Sequence, residues 1–292
     1  MSLTINNNMM AYTSARSLTS SYNKLSDSTR KLSSGLRVDT AADDAAGLAI
    51  RELMRSDIAA LNQGVRNAND GISLIQTADG ALSVIDEKLI RMKELAEQAA
   101  TGTYDSTQRL LIDSEYQQMA SEITRIANAT DFNGIKLLDG TLSGTHSGSG
   151  LKSTGALKIH FGTANDSAED YYYIKIGNAT ASSLGVGNAA SGDGSTISTQ
   201  ERAQKALEAL QNAIVSKDSI RAHLGAMQNR LENTIGNLQI QAENLQAAES
   251  RISDVDVASE MTNFVKNQIL TQSAVAMLSQ ANSLPQLALN LL

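Results

Sequence analysis

The sequence predicts a mainly α fold: a long antiparallel coiled-coil or helical-bundle rod with a small β-hairpin insertion and paired N and C termini. Three observations carry that prediction. Leu224, Leu231, Leu238, Leu245 and Ile252 recur every seven residues, the spacing of a supercoiled helical seam. Eleven of the 20 glycines fall between Gly140 and Gly194, so turn-forming residues concentrate in one segment and the flanks are left free to be helical. The chain of 292 residues has one proline, no tryptophan and 3% aromatic residues. Its apolar supply is therefore Ala, Leu, Ile, Val and Met, which suits narrow helix–helix seams better than a bulky globular core.

The first periodic segment carries Leu18, Leu25 and Leu32 and stops near Ser33-Ser34-Gly35, where glycine serves as a helix C-terminal residue. In the second, Ile58, Leu61, Val65, Ala68, Ile72, Ile75, Leu82, Leu89 and Ala96 alternate by threes and fours, with a gap at Asp79. A helix from about Asp44 to Ala99 spans roughly 80 Å at ~1.5 Å per residue, longer than ordinary globular helices. Gly102 breaks it, and Ile112, Tyr116, Met119, Ile123 and Ile126 mark a third helix. The run Asp131-Phe132-Asn133-Gly134-Ile135 reads as a tight turn, because Asn-Gly tolerates positive φ. Leu157–Phe161 and Tyr171–Ile176 are the strand candidates of a hairpin with a polar loop. In the fourth helix Met227, Thr234, Gln241 and Ala248 fill the alternate seam positions, and polar Thr and Gln there help fix register. A last segment from about Val255 keeps Val257, Met261, Phe264, Ile269, Val275 and Leu278. The economical arrangement runs out, turns back and returns beside its own start. It divides into a terminal helical part, residues 1–43 with 254–292, and a central part, 44–253, that holds the hairpin and a glycine-rich insert at 140–200.

Charge is distributed unevenly. The net charge is −7 and no basic patch stands out, which argues against a nucleic-acid partner. No charged side chain occurs from Met1 to Ala15 or from Asn267 to Leu292. A solvated amphipathic helix carries Lys, Glu or Arg on its outer face, and a disordered tail is usually charged and poor in apolar residues. These ends, with Leu284, Leu287, Leu289, Leu291 and Leu292, instead suit burial by other protein on several sides. No stretch has the ~18–20 apolar residues of a membrane span, and the first ten residues lack the pattern of a cleaved secretory signal.

Chemistry-bearing constellations are sparse. Cysteine is absent, which excludes disulfides and thiol chemistry. His146, His160 and His223 form no zinc motif. Asp254 and Asp256 lack a calcium loop after them and read as structural or capping residues. Gly185-x-Gly187 lacks the context of a nucleotide site, and Tyr171-Tyr172-Tyr173 reads as a strand face. The Asn-x-Thr triplets at Asn128 and Asn178 carry little information. No cofactor is expected.

The chain resembles bacterial flagellin, the filament subunit of the flagellum. The resemblance rests on Leu32-Ser33-Ser34-Gly35-Leu36-Arg37, Asp43-Asp44-Ala45-Ala46-Gly47, Arg66-Asn67-Ala68-Asn69-Asp70-Gly71-Ile72-Ser73, Gln76-Thr77-Ala78-Asp79-Gly80-Ala81-Leu82 and Phe132-Asn133-Gly134. It continues in Ala248-Glu249-Ser250-Arg251-Ile252, Asp254, Asp256, Gln268-Ile269-Leu270, Gln280-Ala281-Asn282 and Pro285-Gln286, covering nearly everything outside residues 140–200. A hook–filament junction protein shares the helical ends, but the match density in both termini favours flagellin, and the short insert offers no catalytic group for an enzyme.

The resemblance implies a non-enzymatic structural subunit that is exported unfolded through the flagellar type III channel and polymerises into an extracellular filament for swimming. It implies a helical homo-oligomer, with Leu18, Leu25, Leu32, Met261, Phe264, Ile269, Val275, Leu278, Leu284 and Leu287 packing in the inner tube. The coiled-coil seam is then Leu61, Ile75, Leu82, Leu224, Leu231, Leu238 and Leu245. Expected partners are an export chaperone at the C-terminal region, hook–filament junction and cap proteins, and the vertebrate Toll-like receptor for flagellin. The receptor epitope falls on Arg91, Leu95 and Glu115, within Arg91-Met92-Lys93-Glu94-Leu95-Ala96; Ile90 and Glu97 depart from the best-known version of that motif.

Overall fold

A computed structural model describes residues 7–148, 154–166, 169–187, 190 and 192–289, with side chains up to Ser283 at the C-terminal end. The described residues form α1 (Met9–Ser34), α2 (Ala45–Ala100), α3 (Ser106–Ala129), β1 (Asp131–Phe132), β2 (Ile135–Lys136), β3 (Leu157–His160), β4 (Tyr171–Ile174), α4 (Gln200–Ser253) and α5 (Val257–Leu289). The fold is mainly α with two small antiparallel hairpins, β1–β2 and β3–β4. Both strands of the second are two residues or less from the expected bounds. Packing divides the chain into two compact units, the described residues of 1–58 with 243–292, and residues 59–242.

Local chemistry sets the ends of these elements. Asn8 caps α1 by accepting the Ala11 N–H, and Gly35 closes it at φ 74° with its N–H on the Lys31 carbonyl. Gln108 accepts the Asp105 N–H at the start of α3, the reach-back half of a capping box. Asn133 and Gly134, at φ 52° and 78°, make the two-residue turn of β1–β2, and Asp131 accepts the Gly134 N–H. This is the conformation for which Asn-Gly is selected. Asp256 accepts the Ala258 and Ser259 N–H groups and starts α5.

In the unit of residues 59–242, the buried seam of α2 is Leu61, Gly64, Ala68, Gly71, Ile75, Ala78, Leu82, Ile85, Leu89, Met92, Ala96 and Ala99, with Leu74 and Leu95 buried beside it. The seam positions alternate by threes and fours without interruption. The gap read at Asp79 is therefore filled by Ala78 and Ile85, while Asp79 takes a flanking position and binds Arg221 of α4 through two bonds of 2.7 and 3.2 Å. Lys217 reaches Asp86 at 2.5 Å, and Lys93 reaches Gln211 at 2.7 Å. Numbers rise on α2 as they fall on α4, so the two helices run antiparallel here. The α4 seam comprises Ala203, Ala206, Leu210, Ala213, Lys217, Leu224, Met227, Leu231 and Leu238, all buried. Tyr116 of α3 is buried and donates its hydroxyl to the Gly194 carbonyl at 2.7 Å; burial pushes its phenol pKa up.

The β3–β4 hairpin packs on α2 where glycine replaces a side chain in the seam. A Cβ at Gly64 would run into the Phe161 carbonyl, and Gly71 faces Ile159 and Leu231. Asn67 donates to the His160 carbonyl at 2.8 Å. The register pairs Leu157 with Ile174 and His160 with Tyr171. Strand alternation puts Leu157, Ile159, Tyr172 and Ile174 on one face and Lys158, His160, Tyr171 and Tyr173 on the other. The tyrosine triplet thus serves two faces.

Candidate functional site

In the unit formed by both ends of the chain, α1 packs along α5. The covered positions of α1 include Ala11, Ser14, Leu18, Ser21, Leu25, Ser28 and Leu32. Those of α5 are Glu260, Phe264, Asn267, Thr271, Ala274, Leu278 and Ala281. Each set is a heptad seam. Small or polar residues hold nine of these fourteen positions, so the seam joins two helices without consuming their apolar surface. Asn8 ties the outer end by donating to the Ala281 carbonyl at 2.7 Å.

The rest of that surface faces outward. On α5, Val257, Met261, Val265, Ile269, Leu270, Val275 and Met277 are 45–59% exposed. The first four repeat at i+4 and form a stripe. On α1, Met9, Met10, Tyr12 and Tyr22 are exposed as well, and α5 carries only Glu260 and Lys266 as charges. The predicted packing residues therefore separate by face. Leu18, Leu25, Leu32, Phe264 and Leu278 lie in the intrachain seam, whereas Met261, Ile269 and Val275 point away from it. The side chains of Leu284 and Leu287 lie outside the described residues, as do Leu291 and Leu292. Sequence reading missed Val265, Leu270 and Met277; the i+4 relation of Val265 to Met261 and the place of Leu270 and Met277 in the charge-free stretch from Asn267 were the available signals.

The breaks between helices are bound together inside this unit. Arg37 donates its N–H to the Ser253 carbonyl at 2.6 Å and its guanidinium to the Ile252 carbonyl at 2.7 Å. Val255 donates to the Gly35 carbonyl at 3.0 Å. Arg30 grips both oxygens of Asp43 at 3.1 and 3.2 Å. That guanidinium, with the Thr40 N–H and hydroxyl, holds the Asp43 carboxyl well below the usual range. Arg51 is buried and donates to the Val38 carbonyl at 2.7 Å. Asp254 accepts from the Ser250 and Ser253 hydroxyls, which lowers its pKa, so of the two aspartates Asp256 caps a helix and Asp254 ties down the end of α4.

In the other unit Arg91 donates to Glu115 at 2.8 and 3.0 Å and to Glu94 at 3.0 Å. These hydrogen bonds raise the Arg91 pKa, with Glu115 the larger cause. Arg91 and Glu115 are about half exposed. Leu95 is 2% exposed and belongs to the core, so the presented surface at this point is Arg91, Glu94, Glu115 and the exposed Ile90. Leu61, Ile75, Leu82, Leu224, Leu231 and Leu238 of the seam are buried in this unit, and Leu245, in the terminal unit, is half-buried.

Two family models match the chain: the bacterial flagellin N-terminal helical region over residues 5–143 and the bacterial flagellin C-terminal helical region over residues 207–292. Flagellin FlaB2 of Treponema pallidum is 43% identical over 288 residues, covering 99% of both chains. A flagellin of Halalkalibacterium halodurans is 42% identical over 288 residues with the same coverage. Among solved structures, a hook-associated protein of Vibrio parahaemolyticus described as putative matches at TM-score 0.56 and 15% identity, over 73% of this chain and 100% of that one, a likeness of fold alone.

Proposed function

This chain belongs to the bacterial flagellin family and is a structural subunit of a flagellar filament, not an enzyme; from that premise we propose that its α1–α5 pair packs against copies of itself as the inner layer of the filament. The observation that carries the reading is the outward apolar stripe of α5 beside the exposed methionines and tyrosines of α1. A monomer rarely leaves contiguous apolar surface of this kind in water, and a helix that is apolar all round belongs inside an assembly. The unit of residues 59–242 then forms the outer layer, since its core is already closed within one chain.

The same surface supports the remaining partners. Before assembly an export chaperone covers the C-terminal helix during passage through the type III channel to the cell exterior, and hook–filament junction and cap proteins offer matching helical ends at the two limits of the filament. Removing residues 267–292 is expected to leave a soluble, mostly helical protein that no longer polymerises. Long filaments of the truncated chain in electron micrographs, after salt-induced assembly, would refute the inner-layer reading.

The vertebrate Toll-like receptor for flagellin would read the Arg91–Glu115 surface, with Leu95 holding α2 in place from beneath. Arg91→Ala is expected to weaken signalling in reporter cells at least several-fold with no loss of helical signal by circular dichroism. Unchanged signalling would remove the epitope from this position.

A further inference from the structure

The face of the β3–β4 hairpin turned away from α2 has an unusual composition. Its aromatic groups form a continuous series: His160 stacks on Tyr171 at 6.0 Å between centroids, Tyr171 meets Tyr173 edge-on at 5.3 Å, and Tyr173 meets His146 at 5.2 Å. Lys158 lies over Tyr171 at 3.5 Å from the ring centroid and donates to Asn165 at 3.3 Å. Two of the chain's seven tyrosines, Tyr171 and Tyr173, share this face, which sets it apart from a solvated strand face.

A second observation extends the surface. Lys175 follows Tyr173 by two residues, roughly 7 Å along an extended chain, and lines a groove of about 330 Å³ with Ser143, Ile176, Ser219, Ile220 and His223. All three histidines and two lysines of this region thus belong to one track of rings followed by a trough. No carboxylate belongs to either strand or lines the groove among the described residues. Asp170 is buried and accepts the Asp166 N–H at 2.6 Å, and Asp218 is engaged with Lys217 at 2.7 Å.

We propose that this track binds an anionic polysaccharide, a sugar ring resting on Tyr173 and its acid groups meeting Lys158 and Lys175. Tyrosine supplies an apolar face with a polar edge, which suits the C–H and hydroxyl sides of a pyranose. Lys158 holds its ammonium on one face of Tyr171, so that ring positions the charge and the exposed Tyr173 is the ring left for a sugar. Single-stranded nucleic acid fits less well. It wants successive parallel platforms, whereas Tyr171 and Tyr173 stand at 76°.

The test titrates the full-length protein with polygalacturonate at low ionic strength, beside neutral dextran and a 20-nucleotide oligo-dT. Polygalacturonate binding is expected, at least ten-fold tighter than dextran and weakened by added salt. Tyr173→Ala, and separately Lys158→Gln with Lys175→Gln, should each reduce it at least ten-fold with unchanged circular dichroism; Tyr173 and Lys175 are exposed, so these variants fold. Absence of binding, equal binding of dextran, tighter binding of oligo-dT, or folded variants that bind like the parent would each overturn the proposal.

Discussion

Ile269→Asp is expected to abolish filament assembly while leaving the stability of the isolated chain within about 0.5 kcal/mol of the parent. Ile269 is 56% exposed on the outward stripe of α5, away from the seam with α1. In the monomer the new carboxylate points into water. In an assembly that buries the stripe it is an unpaired charge, which costs several kcal/mol for each subunit added. Filament growth repeats that cost at every step, so a single substitution suffices. Phe264→Asp is the internal contrast: Phe264 sits in the α1–α5 seam, and its replacement should lower the stability of the monomer as well. Thermal unfolding followed by circular dichroism reads the first quantity; sedimentation and electron microscopy after salt-induced assembly read the second. Filaments of normal length from the Ile269→Asp chain would mean that the outward stripe is not an interface.

The largest effect on stability is expected at the Lys217–Asp86 pair. Lys217 is 1% exposed, and it occupies the same heptad position as Leu210, Leu224, Leu231 and Leu238, which are seven residues apart in sequence. Its ammonium is held by Asp86 at 2.5 Å and Asp218 at 2.7 Å. Removing one partner of a buried pair costs ~3–5 kcal/mol, because the remaining charge is stranded. Asp86 is partly exposed and Asp218 remains, so Asp86→Ala should cost about 2–3 kcal/mol, below that range. Lys217→Met should be neutral or stabilising by about 1 kcal/mol, since the methionine fills the seam and Asp86 returns to solvent. Urea unfolding midpoints of the two variants decide it. A Lys217→Met chain less stable than Asp86→Ala would show that the ion pair, not seam volume, stabilises this layer. A charged residue at one seam position fixes register at a cost in stability, and the two flanking contacts, Arg221–Asp79 and Lys93–Gln211, keep the same antiparallel alignment.

Much of this was legible in the chain. The spacing of Leu61, Ile75 and Leu82 places α2 within one residue of its observed limits, and Gly35, Gly102 and Asn133-Gly134 mark breaks that glycine chemistry requires. Lys217 was hidden because a lysine within a leucine heptad reads as the end of the repeat. Only a carboxylate from another helix turns it into a seam residue, and Asp86 is more than a hundred positions away. Asp79 misled for the same reason: its partner Arg221 lies on α4, so its place at the seam edge looked like an interruption. Leu95 borders the seam and lies in the motif of an exposed epitope, and packing against the core buries it.

What the sequence by itself determined is the helical class, the heptad seams, the position of the hairpin and the absence of charge at both ends. Those follow from periodicity and charge, which act over a few turns of chain. The tertiary structure decided which face of each helix is used within the chain and which is left over. On α5 apolar residues occur on every side, so local pattern cannot choose between Phe264 and Ile269. The choice is made by α1, whose seam of Leu18, Leu25 and Leu32 accepts one face and leaves the stripe from Val257 to Ile269 exposed. A long-range contact is needed because burial is a property of pairs of surfaces.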